Sequence, residues 1–85
     1  MMPLTLAKTG KEHIIVRITG KSDAIKFLEN LGFVAGSVVT LISENAGNLI
    51  VNIKGTKIAI SREMAVKIMI GLLFCLLVTS IGIND

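Results

Sequence analysis

The sequence has no tryptophan, no tyrosine, one proline, one cysteine and one histidine, and these shortages remove several classes of function. Grooves that grip polyproline segments are lined with Tyr and Trp, so recognition of that kind has no material here. A lone Cys75 cannot close an internal disulfide, which gives no sign of an oxidising compartment and fits the cytoplasm. His13 and Cys75 lie far apart in the chain, and Ser61 has no histidine near it. No nucleophile with a base and an orienting group is visible, and no enzyme is expected. A closed transition-metal site takes about four N, S or O donors, whereas His13 with the scattered Glu12, Glu44 and Glu63 shows no ligand spacing. His13 reads instead as a solvated residue at a strand end beside Glu12. The expectation is no resident metal or cofactor and no small-molecule substrate.

Charge is also scarce. Nine Lys and Arg against six Asp and Glu leave a net charge of +3, too mild to point to nucleic acid by itself. Arg17, Lys21, Lys54 and Lys57 could gather on one side, but only Phe27, Phe33 and Phe74 could stack on bases, and Phe27 fits the core. A solvated basic rim accounts for these cations as well. What is abundant is apolar surface, with 52% hydrophobic residues and a mean hydropathy of +0.76. Eighty-five residues suffice for one small core. The N-terminal Met1-Met2-Pro3-Leu4 has no basic segment leading into a long apolar run, so no secretory signal is expected.

Periodicity assigns most of the chain. From His13 to Ile18 the alternation places Ile14, Val16 and Ile18 on one face, with His13 and Arg17 on the other, as in a half-buried strand. After Gly20-Lys21, Ser22 stands where an N-cap belongs and Asp23 suits the helix dipole. A helix follows with Ala24, Phe27, Leu28 and Leu31 as its apolar stripe, ended by Gly32. Val39 and Leu41 belong to a strand over residues 38 to 43, Asn45 to Asn48 form a turn, and Leu49, Val51 and Ile53 alternate in the next strand. Gly55-Thr56 reads as a two-residue hairpin loop, Lys57 to Ile60 as the returning strand, and Ser61 as the start of one helical turn over Arg62 to Ala65. A last strand from Lys67 to Ile70 carries Ile68 and Ile70 inward. About five short antiparallel strands and one helix fit a small barrel that hides its edges. The hairpin, helical turn and final strand favour an SH3-like order over an OB-type one.

Residues 3 to 70 resemble the FeoA family, small accessory proteins of bacterial ferrous iron transport. The resemblance is carried by Leu4 and Leu6 before Gly10, by Ile14 to Ile18 before Gly20, and by the segment Leu28-Glu29-Asn30-Leu31-Gly32-Phe33-Val34-Ala35-Gly36. It continues through Val39 and Leu41 and through Gly55 to Ala65, and closes on Ile68. Leu28, Leu31, Gly32, Gly36 and Gly55 are its structural positions. Ala35 stands where a proline commonly precedes the equivalent of Gly36. The resemblance implies an SH3-like barrel in the cytoplasm, at the inner face of the membrane, that contacts FeoB, a membrane ferrous-iron transporter with a cytoplasmic G domain. It links the chain to iron only indirectly. The same module also closes some iron-dependent repressors, so a nucleic-acid-binding or regulatory barrel is the alternative, although no nucleic acid is expected. For partner contact, Phe33 and Val34 lie in a loop that the helix stripe does not claim, with Arg17, Lys54 and Lys57 as a basic flank. Phe33 could equally plug the barrel end.

The division is a domain over residues 1–70 and an apolar tail over residues 71–85, outside the family pattern. Ile68 to Ile83 are sixteen residues without charge. As a helix they would span roughly 24 Å against about 30 Å of hydrocarbon. A packed or partner-binding tail, a short membrane anchor and a sequence artefact are the three readings, so membrane association through the partner or through the tail stays open.

Overall fold

The structure, a computed structural model, describes residues 1–72. Six strands form one antiparallel sheet: β1 (Met2–Pro3), β2 (Glu12–Ile18), β3 (Val38–Asn45), β4 (Asn48–Ile53), β5 (Thr56–Ser61) and β6 (Ile68–Leu72), in the order β1-β6-β2-β3-β4-β5. Two helices interrupt them, α1 (Ser22–Asn30) and α2 (Arg62–Ala65), and a 3₁₀ turn over Leu4–Leu6 follows β1. The expected mainly β, SH3-like barrel is therefore present, with one strand more than the sequence suggested. That strand is two residues long, too short to show a period. The sheet does not close by strand pairing, because β1 and β5 are its two edges. Instead the 3₁₀ turn after β1 packs against α2, which follows β5. The last strand also runs past Ile70 to Leu72, which pairs with His13. The assigned tail otherwise lies outside the described residues.

The alternations in β4 and β6 stand as expected: Leu49, Val51, Ile53, Ile68 and Ile70 are buried, as are Val39 and Leu41 on β3. Strand β2 differs. His13 and Ile15 are buried, Val16 is exposed, and the pairing with β6 slips between Ile15 and Arg17. Such a bulge inserts one extra residue, here Val16, and reverses the phase of the side chains beyond it. Ile18 therefore does lean on the core, while Ile14 and Val16 do not lead into it. Because Ile14, Ile15 and Val16 are all apolar, either phase satisfies the pattern of the sequence.

Helix α1 also differs at both ends. Lys21 is its N-cap and no side chain caps it, so Ser22 is the first helical residue and not the cap; Asp23 lies in the first turn. At the other end Gly32, at φ +107°, allows a Schellman closure. The Gly32 N–H donates to the Glu29 carbonyl (2.9 Å) and the Phe33 N–H to the Leu28 carbonyl (3.0 Å). Leu28 and Phe33 are both fully buried in the main core cluster, matching the apolar contact that accompanies this motif. Phe33 is therefore the barrel plug. Phe27, expected in the core, is 51% exposed. It lies about 100° round the helix from Leu28, the one buried residue of α1, whereas Ala24, Ile25 and Leu31 sit nearer that line and are half-buried.

Truncating Phe33 to Ala should cost about 3–5 kcal/mol, since the neighbours cannot refill a closed core. The same change at Phe27 should cost less than about 1 kcal/mol. Urea unfolding of the two variants reads the difference directly.

Candidate protein-binding surface

The residues singled out for partner contact sit around one end of the barrel. The loop from Gly32 to Ser37 is tied to β2, where the Gly36 N–H donates to the Ile15 carbonyl (2.8 Å) and the Ile15 N–H donates to the Ser37 carbonyl (2.9 Å). On its other side, a Cβ at Gly32 would lie 3.9 Å from the Ile53 Cγ2 atom. The loop thus bridges β2 and the end of β4, two residues from Arg17 and one from Lys54. Val34 is half-buried in it, and Arg17, Lys54 and Lys57 are exposed. Lys57, on β5, pairs with Asn52 of β4, and its neighbours Ile58 and Ile60 lean toward the core, so it points outward. Phe33 leaves this set because it has no exposed surface. Phe27 replaces it as the exposed aromatic, and the narrowness of the stripe around Leu28 was the signal that could have marked it.

The hairpin loop between β4 and β5 is Lys54-Gly55, one residue earlier than the Gly55-Thr56 expected, since Ile53 pairs with Thr56. Lys54 at φ +52° and Gly55 at φ +79° make a type I′ turn, whose twist matches the flanking strands. Asn or Gly is the usual occupant of the first position, so the lysine is held there at a cost. Ala46 in the turn between β3 and β4 has φ +48°, so this strain alone does not mark Lys54 as functional. Its charge on a stiff projection is the relevant property.

Elsewhere among the described residues the side-chain interactions are structural. The Arg62 guanidinium, at the start of α2, pairs with Glu44, and the backbone N–H of Arg62 donates to the Gly47 carbonyl (3.0 Å). Both side chains are about half exposed, so the ion pair contributes no more than about 1 kcal/mol. Ser61 caps α2 as expected, its hydroxyl accepting from the Met64 N–H (3.3 Å). Among the described residues no three His, Cys, Asp or Glu side chains cluster as a metal would require, and no helix is long and apolar enough to cross a membrane. His13 is not the solvated residue expected. It is 1% exposed, and its Nδ1–H donates to the Lys11 carbonyl (3.1 Å).

Similarity to known proteins decides the family of the chain. The model of the FeoA domain matches residues 2–71. The chain belongs to the FeoA family. A curated relative from Methanocaldococcus jannaschii, named "Putative Fe(2+) transport protein A", is 39% identical over 70 residues, covering 82% of this chain and 85% of its own. Among solved structures, the crystal structure of an iron uptake regulatory protein, FeoA, superposes with a TM-score of 0.76 at 27% identity. That match covers 82% of this chain and 93% of the other. The zinc complex of Stenotrophomonas maltophilia FeoA, named as a procaryotic SH3 domain protein, has a TM-score of 0.73 at 18% identity, covering 84% and 91% of the two chains. At that identity it speaks for the SH3-like fold alone. As a FeoA domain, the chain is a ferrous iron transport accessory.

Lys54→Asn should raise stability by about 1 kcal/mol, because Asn tolerates the left-handed region better than Lys does. Ala46→Asn should act alike, and thermal or urea unfolding checks both. If Lys54 contributes to a partner contact, its substitution alone will raise stability while lowering affinity.

Proposed function

We propose that this FeoA-family chain works by protein contact in the cytoplasm, docking on the G domain of a FeoB-type ferrous iron transporter. Phe27 and Val34 form the apolar part of the contact, and Arg17, Lys54 and Lys57 face an acidic surface of the partner. The observation that carries this reading is the loop hydrogen-bonded to Ile15 and running close to Ile53, which brings Val34 to the end of the barrel where Lys54 follows Ile53, in a domain matched by the FeoA model. Phe27, Arg17, Lys54 and Lys57 are all exposed, and an apolar centre with a charged rim suits a contact whose centre excludes water and whose rim sets orientation. Iron in this reading is the transporter's cargo and not a ligand of this chain, and the chain performs no chemistry of its own.

Co-purification with a FeoB G domain tests the proposal. Lys54→Glu with Lys57→Glu should weaken capture about tenfold or more, through like-charge repulsion at the rim. Phe27→Ser should weaken it by a similar factor while leaving urea stability nearly unchanged. Capture indifferent to both changes would sink this surface as the contact. The purified chain should carry no stoichiometric iron by elemental analysis. Retention on a polyanion column that fades steeply with salt would favour the nucleic-acid-binding alternative.

A further inference from the structure

Strands β6, β2 and β3 lie side by side, and their inward residues help to fill the core. Their outward residues are apolar as well. Ile14 pairs with Gly71 on one side and with Val38 on the other. Each of the three stands next to a buried residue, Ile15, Ile70 or Val39, so all face away from the core. Met69, between the buried Ile68 and Ile70, shares that outer face. Val16 joins them from the bulge: a Cβ built on Gly71 would meet the Val16 Cγ2 at 3.4 Å and the Ile14 Cγ2 at 4.0 Å. Val16 is 41% exposed and Val38 36%, while Ile14 and Met69 are half-buried. The solvated face of an antiparallel sheet is ordinarily polar. Here Ile14, Val16, Val38 and Met69 surround a glycine in one apolar patch across three strands, with Glu12 and Arg17 beyond it on β2.

The chain leaves the described residues at this patch. Leu72, which ends β6, directly follows Gly71, and the FeoA domain match stops at residue 71. Residues 73–85 come next, and Leu73 to Val78 are all apolar. Neighbouring strands are about 4.8 Å apart, so Val38 lies about 10 Å from β6, a distance that about three extended residues cover. Residues 73–78 therefore suffice for a turn and the crossing.

We propose that residues 73–78 fold back over the outer face of β6, β2 and β3 and cover Ile14, Val16, Val38 and Met69, a second apolar layer added to the FeoA domain. Tethering selects this occupant. A short connection holds the segment at an effective concentration on the order of millimolar. A second copy must instead offset the freedom lost on association, from a patch far smaller than the roughly 20–30 residues a side of a stable interface. Glu12 and Arg17 carry opposite charges, so the rim favours neither an acidic nor a basic partner. A bilayer fits poorly too. Because β6 uses Ile68 to Leu72, the uncharged run left over residues 73–83 would span only about 17 Å as a helix, against about 30 Å of hydrocarbon.

Nuclear magnetic resonance on the full chain tests the fold-back. Cross-relaxation should link residues 73–78 with the methyl groups of Ile14, Val16, Val38 and Met69 within one molecule. A soluble paramagnetic agent should leave the Val16 and Val38 methyl signals largely sharp. In a variant with Leu76→Glu and Leu77→Glu, whose charges resist burial, those signals should broaden while the buried Leu49 stays protected. The contacts in the unsubstituted chain decide the matter even where the variant fails to fold. Absence of those contacts, contacts only between differently labelled chains, or co-sedimentation of the full chain with phosphatidylcholine vesicles would each overturn the proposal. The second result would mark a dimer face and the third an anchor. None of the four covered side chains belongs to the contact proposed for the transporter, so either idea can fail while the other stands.

Discussion

The closure of α1 onto Phe33 is the constraint on which the rest of this small domain depends. A nine-residue helix has little stability alone, since nucleation is costly and only tertiary packing offsets it. Here the helix ends at Gly32, and the backbone reverses so that the residue two beyond the C-cap enters the core. Leu28 and Phe33 then fill the barrel from one segment. Because the sheet is not sealed by strand pairing, the interior depends on such insertions and on the 3₁₀ turn meeting α2.

The same closure arranges the outer surface. Once Phe33 is fixed inside, the next residues must cross the barrel end, and the hydrogen bonds to Ile15 set their path. Val34 is thereby presented at the rim while the type I′ turn brings Lys54 to the same end. Core residues and the residues proposed for partner contact alternate within a few positions, so a chain of this size needs no separate module to present such a surface.

Much of this arrangement was legible in the sequence. The regular alternations of β4 and β6, the stop at Gly32, the turn at Ala46-Gly47 and the cap at Ser61 each rest on a local rule that the fold obeys. The FeoA segments were readable as well. The misreadings have physical causes of one kind: a change of phase that composition does not mark. On β2 three consecutive apolar residues admit either register, and the bulge chose the one that buries Ile15 and His13. On α1 both Phe27 and Leu28 fit an apolar stripe, and only packing decides which faces inward. At the second hairpin a glycine serves either loop position, and the ladder chose the later one. The polarity of His13 suggests exposure, whereas a bond to the backbone two residues away satisfies one of its nitrogens inside the fold.

The irregularity on β2 also governs where a charge goes. Arg17 stands two positions after the buried Ile15, so an unbroken pleat would aim its guanidinium at the apolar interior; the surplus position at Val16 turns it outward and lets Ile18 lean on the core instead. Closing the bulge with every residue kept would leave the composition untouched, yet it would trade places between a cation and a hydrocarbon, whereas deleting Val16 would keep Arg17 outside and Ile18 within. A defect in the ladder is what makes this stretch both insoluble within and wettable without.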